Sequence, residues 1–590
     1  QVNEKDAVEM QWPRLISDAT SLFTDVTNKL DIHYRHNEMD FIDFNIQRLL
    51  PHKFSEYGPG IAAGDVDGNG LDDLCIGGTG DLPVKFLLQQ TNGKFIEKPL
   101  PFLTTSDARR PENVGILLID ADNDGDPDLY LTSGSDESPP TSKDYQDRIF
   151  ENDGKGNFTF IANALPVNIN SKSCVKASDI DHDGDLDLFI GGRVLPGRYP
   201  QAVNSFIYRN DSKKGSIQFT DVTGIVALGL KNLGLTCDAI WTDFDNDGWK
   251  DLITMGEWMA PQFFKNEAGK LKNITSSTGL ENYKGWWNSI TGGDFDNDGD
   301  IDYIAGNVGV NSYYRGSDKY PVRIYGGDFA HNKNYVGIPS LYLPDELGNK
   351  KEYPAQSRDE VVEQMPALKK KFLTYKEFGN AEMKQLLDEK DLDTAYKLQV
   401  NYFESVYIEN TGKGKFAVRP LPAQAQLAPL YGLVADDLNE DGNLDIAIVG
   451  NDFGTEVSIG RYDALNGLIL LGNGNGNFVS QSILQSGLFV PGNARALVKL
   501  AGAGNSYLLA ASQNKDVLKV FEKRVTQKIV KLLPGDEVLI IHLKNGKQRR
   551  EEIYEGHSFV SQSSKFILLN NNVTSVEIIN QRGERRVADR

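Results

Sequence analysis

One phrase recurs through this chain and restricts what it can fold into. It reads GDVDGNGLDDL from Gly64, DADNDGDPDLY from Asp120, DIDHDGDLDLF from Asp179, DFDNDGWKDLI from Asp243, DFDNDGDIDYI from Asp294 and DLNEDGNLDIA from Asp437. Counted from the first aspartate, copies start 51 to 64 residues apart, except the last, which follows after 143. A decayed copy in that gap, GGDFAHNKNYVGI, keeps Asp328 at the first position and Asn332 at the fifth. Repetition at this period indicates stacked supersecondary units that cannot bury their apolar faces alone.

Each copy has the same surroundings. A short apolar run enters the loop (GPGIAAGD, VGILLID, NSITGGD) and another leaves it (DLCIGG, DLFIGG, DYIAGN). A glycine-turn hairpin follows, as in IFENDGKGNFTFI, VYIENTGKGKFAV and LILLGNGNGNFVS. Strand, loop, strand, strand, turn, strand is one four-stranded antiparallel sheet, and several in succession predict a β-propeller, whose radial closure protects the strand edges. Counting the decayed copy and a loopless last unit (ARALVKLAG, YLLAASQN, VLKVFEK) gives eight blades. Seven is the alternative, because the blade starting near Asp294 is short. SLFTDVT near the N-terminus matches IQFTDVT at 217–223, which predicts that the N-terminal strand completes the last blade. The expected divisions are an N-terminal segment 1–57, a propeller 58–524 and a small all-β domain 525–590 with an Asn545-Gly546 hairpin turn. Residues 355–400 carry helical spacing, with Val362, Met365 and Leu368 on one face, and are read as a helical insertion within one blade.

The loop itself has the pattern of a hard-cation site. Positions one, three, five and nine carry oxygen side chains, and position six is glycine, which permits the tight turn. The first loop offers Asp65, Asp67, Asn69 and Asp73; the second Asp120, Asp122, Asp124 and Asp128; the third Asp179, Asp181, Asp183 and Asp187. The fourth offers Asp243, Asp245, Asp247 and Asp251; the fifth Asp294, Asp296, Asp298 and Asp302; the sixth Asp437, Asn439, Asp441 and Asp445. Position seven (Leu71, Asp126, Asp185, Trp249, Asp300, Asn443) is expected to contribute its backbone carbonyl. All-oxygen donors in a flexible loop favour Ca²⁺, giving about six structural sites. An EF-hand would need Glu at position twelve and a following helix, but that position holds Ile76, Leu131, Ile190, Thr254, Ala305 and Ile448, each in a predicted strand. A plain Asp/Gly turn could produce one copy; it does not explain six in register with strands.

Charge fits the same reading. The 590 residues carry 83 acidic and 62 basic side chains, a net −21, of which six divalent cations would offset twelve. This balance argues against nucleic acid as a partner, which requires a basic face. Cys75, Cys174 and Cys237 sit far apart in apolar runs and read as buried free thiols. No apolar stretch reaches the length of a membrane span, and QVNEKDAVEM lacks a signal-peptide core, so the chain reads as a mature secreted chain or a piece of a longer one. No nucleophile elbow, HExxH helix, P-loop or CxxC pair marks an enzyme. His33 and His36 could share a metal, though HYRH reads first as a solvated segment. Five of the six tryptophans (Trp241, Trp249, Trp258, Trp286, Trp287) fall within 47 residues, as a ligand-stacking face or as blade packing, with Trp249 expected to be the most exposed.

These loops and blades resemble the FG-GAP/VCBS repeats of integrin-α-type propellers. LLPHKFSEYGPGIAAGDVDGNGLDDLCIGG (49–78), RDEVVEQMPALKKKF (358–372), GRYDALNGLILLGNGNGNF (460–478) and YEGHSFVSQSS (554–564) extend the resemblance to the cartilage acidic protein type, with a C-terminal ASPIC/UnbV domain. The resemblance implies an all-β, integrin-α-like β-propeller with a helical insertion and a small C-terminal β domain. It also implies a calcium-stabilised cell-surface or secreted binding scaffold, akin to the C-terminal half of long Bacteroidota surface proteins. Expected partners are proteins, including an outer-membrane nutrient-uptake complex, or a glycan. A carbohydrate-active enzyme of the polysaccharide lyase kind, or a lectin on a propeller, is the alternative.

Overall fold

The computed structural model describes residues 21–80, 82–100, 112–523 and 528–589. Seven sheets, each built on four antiparallel strands, form a closed ring, so the chain is an all-β propeller with seven blades. The innermost strands are Ile61–Gly64, Glu112–Ile119, Ser171–Ser178, Leu235–Thr242, Ser289–Gly293, Leu430–Asp436 and Asn493–Gly502. They are buried almost throughout, whereas outer strands such as Phe158–Phe160 and Phe478–Gln481 are half exposed. Facing sheets bury both sides of a blade, which explains why the inner strands read as continuous apolar runs. The seventh blade takes its outermost strand from the N-terminal segment: Phe23–Asp25 pairs with Lys519–Lys523, Phe23 opposite Lys523.

The count of eight is corrected by the position of the decayed copy. Asp328 lies in a sheet outside the ring, ordered Lys350–Pro354, Val336–Pro344, Val322–Gly327, Tyr396–Val400. This whole sheet is inserted between the second and third strands of the fifth blade, Asp302–Gly306 and Val406–Asn410. The turn survives there because Lys333, at φ 69°, takes the glycine position and donates its N–H to Asp328 Oδ2 at 2.8 Å. Ala330 and Val336 stand where the third and ninth carboxylates would be, so the turn is kept with only two of its four oxygen side chains.

The expected helical segment is five short helices, Arg358–Gln364, Leu368–Lys371, Tyr375–Gly379, Met383–Leu386 and Glu389–Thr394. Pro366 breaks the first run, since proline disfavours helical backbone in the residue before it. Ser357/Glu360 and Thr374/Glu377 capping boxes start the first and third. Met365 and Leu368 are buried as expected, and Val361 rather than Val362 is the fully buried valine.

The C-terminal unit contains a sheet ordered Gln548–Glu552, Asp536–Leu543, Val573–Asn580, Arg585–Asp589, and a two-stranded piece, Lys528–Lys531 with Phe566–Leu569. Between its strands, residues 553–565 leave the domain and run through the axis of the propeller. Ile61 N–H donates to Val560 O (3.1 Å), Leu118 N–H to Gln562 Oε1 (2.7 Å) and Ala177 N–H to Glu555 O (3.0 Å). Ser558 N–H donates to Ile290 O (3.2 Å), while Leu433 N–H and Leu497 N–H donate to Ser558 Oγ (2.8 Å) and Ser561 Oγ (3.2 Å). Six of seven blades are thus bonded directly. The fourth joins through Lys176, whose ammonium donates to Ser558 O and pairs with Asp238 at 2.9 Å. Phe559 and Val560, 0% and 2% exposed, fill the axis. Gly292 is required here, because a Cβ would lie 2.4 Å from Tyr554 Oη. This axial strap closes one end of the channel. At the other end, His52 pairs with Glu257 (3.0 Å), which also accepts from Tyr199 (3.3 Å) and pairs with Arg193.

Candidate metal centres

Every intact loop joins the first and second strands of its blade, and its ninth residue begins the second strand. Position-six glycines have φ between 85° and 104°, a region costly for other residues. Their N–H groups donate to Oδ2 of the first aspartate at 2.8 to 3.2 Å in all six loops. That bond fixes the first carboxylate and leaves Oδ1 facing the loop interior.

The ninth aspartate has a role the loop pattern did not reveal. One oxygen accepts from the N–H at position two (2.9 to 3.4 Å). The other accepts from a backbone N–H of the third strand, at Gln89, Asn152, Asn210, Asn266, Asn410 or Gly472 (2.7 to 2.9 Å). Each ninth aspartate therefore staples its loop to the hairpin that follows. Recurring Asn-Asp or Asn-Thr at the start of that hairpin turn was the available signal.

Five loops gather three carboxylates with oxygens within 4.8 Å of one another: Asp65, Asp67, Asp73; Asp120, Asp122, Asp128; Asp179, Asp181, Asp183; Asp243, Asp245, Asp251; and Asp294, Asp296, Asp302. These groups could hold a metal ion. In the sixth, Asn439 and Asn443 amides both donate to Asp441 at 3.0 Å, and no such trio forms among the described residues. The fifth-position Asp124, Asp247 and Asp298 border their loops, each accepting an N–H from position seven. In the fourth loop the Lys265 ammonium touches Asp245 and lies 2.9 Å from Asp247, a cation supplied by the protein itself.

The donor sets fit a hard divalent cation. Asp65 Oδ1, Asp122 Oδ1, Asp245 Oδ1 and Asp437 Oδ1 are buried and have no hydrogen-bond partner. A buried carboxylate oxygen left unpaired is costly. Burial first, and neighbouring carboxylates after it, push Asp73 and Asp128 up to about 7, Asp187, Asp302 and Asp445 to about 8, and Asp251 to about 9. A bound dication would relieve that repulsion.

Four position-seven side chains turn toward the preceding blade. Asn123 donates to Asp185, His182 stacks on Trp249 at 3.9 Å, Asn246 donates to Asp300 (2.6 Å) and Asn297 to Asn443 (3.1 Å). Positions four and seven thus link consecutive loops around one face. Trp249 is half-buried by this stacking, and Trp241, Trp258, Trp286 and Trp287 are buried, so these five tryptophans serve chiefly to pack blades. The three cysteines are free and buried. His33 is exposed beside Asp31, but His36 is 1% exposed and accepts from Lys515 N–H, so HYRH is neither wholly solvated nor a shared metal site.

A family model described as FG-GAP-like repeat matches residues 65–131, 120–190 and 243–305. The chain carries three FG-GAP-like repeats. They embrace five of the six loops, and the loop at Asp437 falls outside them. No curated protein matches the sequence. Among solved structures, the chain is similar to the V. cholerae biofilm matrix protein Bap1, at 12% identity and TM-score 0.33, covering 88% of this chain and 97% of that one. It is also similar to the exotype rhamnogalacturonan lyase YesX, at 10% and 0.38, covering 85% and 75%. A third is the GH74 xyloglucanase from Xanthomonas campestris, at 10% and 0.34, covering 84% and 58%.

Proposed function

We propose that this protein is a calcium-stabilised binding scaffold that works outside the cell or on its surface. The carrying observation is the set of orphaned, buried carboxylate oxygens aimed into loops of hard-donor composition. Extracellular modules of this chemistry bind Ca²⁺ at roughly 0.1 to 1 mM, which suits a compartment rich in the ion. The ion acts by neutralising the loops and fixing their shape, and no step of chemistry is assigned to it. A protein partner is supported by the inserted subdomain, which stands outside the ring with Leu347, Leu373 and Tyr375 exposed by 86%, 72% and 66%. An outer-membrane transporter complex is the assembly such a scaffold would join, and the strap sequence YEGHSFVSQSS supports an ASPIC/UnbV-type C-terminal domain.

A glycan-binding or lyase reading rests on a different observation. A cavity of about 380 Å³ lies between the C-terminal domain and blades two to four, lined by Trp241, Lys250, Glu537 and Glu555 among others. That falls within the roughly 300 to 1,000 Å³ of small-ligand sites. The opposite end of the axis keeps only about 20 Å³ beside His52 and Glu257.

Chelation tests the scaffold reading. At a hundredfold excess over Kd each site contributes about 2.7 kcal/mol, so five trios together contribute about 13 kcal/mol. With an unfolding entropy near 1 kcal/mol per kelvin for roughly 500 cooperative residues, EGTA should lower Tm by about 13 °C. An unchanged melting curve removes the calcium reading, and unsaturated products from a polysaccharide panel would favour the lyase.

A further inference from the structure

We propose that the C-terminal domain is a calcium-coupled clamp, in which metal in the fourth, fifth and sixth loops and docking of the axial strap stabilise each other. The inference rests on the calcium reading above. The strand Gln548–Glu552 lies across those three loops and makes bonds that the second and third loops lack. Arg550 N–H donates to Asp294 Oδ2 at 3.0 Å, and its guanidinium reaches Asp243 Oδ2 at 3.4 Å. Asp243 N–H donates to Glu552 Oε1 at 3.1 Å. Asn570 Nδ2 donates to Asp437 Oδ2 at 2.5 Å, and Arg549 donates to Gly442 O at 2.6 Å.

The choice of oxygen decides the sign of the coupling. All three first-position aspartates are held from the C-terminal domain through Oδ2, the atom their own loop glycine already binds. Oδ1 stays free of the domain, and in Asp437 it has no partner at all. The clamp therefore orients the carboxylate without occupying the oxygen left for the metal. Outer partners of this kind typically change metal affinity by roughly 10- to 100-fold. Two residues beyond Glu552 the chain enters the propeller axis, so a shift of this strand moves the strap with it. Asp120 and Asp179, the first-position carboxylates of loops two and three, instead face the interdomain cavity. These two loops form an internal control.

Linkage requires the effect to be reciprocal. Hydrogen exchange of residues 554–564 should accelerate about tenfold or more when the full-length protein is moved from calcium into EGTA, by the same outer-partner factor. Amides of Glu112–Ile119 and Ser171–Ser178 that do not contact the strap should change less. Asp298→Asn, in the fifth loop, should accelerate strap exchange in calcium, and Asp183→Asn, in the third, should leave it unchanged. Calorimetric titration of the Arg550→Ala/Asn570→Ala variant with CaCl₂ should weaken one class of sites about tenfold and spare another. Calcium binding with unaltered strap exchange, or equal effects of Asp298→Asn and Asp183→Asn, overturns the clamp alone. No calcium heat in the wild type overturns the calcium reading and the clamp with it.

Discussion

Replacing Asp302 by alanine separates two roles that the loop pattern merges. Asp302 is 0% exposed and accepts from Asn410 N–H (2.8 Å), Phe295 N–H (3.3 Å) and Tyr407 OH (2.7 Å). Alanine leaves two buried backbone donors without acceptors, at about 1 to 3 kcal/mol each, while the tyrosine hydroxyl can rotate to another acceptor. The staple alone is thus worth about 2 to 6 kcal/mol, whether or not a metal is bound. Asp298, at the fifth position, has no such staple bonds, so Asp298→Asn should cost stability only through metal. Urea denaturation of both variants, in calcium and in EGTA, tests this. The Asp302→Ala penalty should persist in EGTA and that of Asp298→Asn should vanish. If chelation erases both penalties equally, the ninth aspartate acts only as a ligand and the staple argument fails.

Three further outcomes are expected. Because ninth-position carboxyls are held up at about 7 to 9 when folded, above the ordinary 3.8, the metal-free fold binds more protons than the unfolded chain. Their contribution to its stability is then complete below pH 4 and is lost as pH rises from there through 7 to 9, whereas calcium should flatten that fall, as thermal melts across pH in EGTA and in calcium will show. Lys265→Ala removes the ammonium that pairs with Asp245 and Asp247, so calorimetry should find tighter binding at the fourth loop and melting should find a less stable calcium-free protein. Phe559→Ala opens a void at the propeller axis and should cost about 3 to 5 kcal/mol by urea midpoint, as for a buried core aromatic; a near-neutral result would mean that the strap is not packed in solution.

The repeat made the blades legible because its alternation of apolar runs and Asp/Gly turns is local, and five of the seven blades are built from consecutive strands. What it could not distinguish is membership of the ring. The Asp328 turn keeps the backbone pattern of the others, yet it joins strands of a sheet whose order places Tyr396–Val400 beside Val322–Gly327, a long-range pairing with no local mark. The same holds for the ninth aspartates: their place in the loop is written in the spacing, while the third-strand N–H that they also hold lies 15 to 27 residues away, or 108 in the fifth blade. Position seven carries a second long-range link: the side chains of Asp185, Trp249, Asp300 and Asn443 answer Asn123, His182, Asn246 and Asn297 one blade earlier, a pairing that spacing within one loop does not mark.

The axial strap changes what a binding surface on this propeller can be. In an open ring the axis is the natural place for a ligand, because loops from every blade converge there. Here one end is filled by Phe559 and Val560, and the other is closed over the His52–Glu257 pair. A large partner is left with the outer rim, the inserted subdomain and the interdomain opening near loops two and three. Of these, only the last borders candidate metal loops that the C-terminal domain leaves unclamped. Calcium in loops two and three would be the metal sensed by a ligand entering that opening, and calcium in loops four to six the metal sensed by the strap. The face that looks uniform in the repeat is therefore divided by the C-terminal domain into loops that it bonds, the first included through Lys531 and Ser564, and loops two and three, which border the opening.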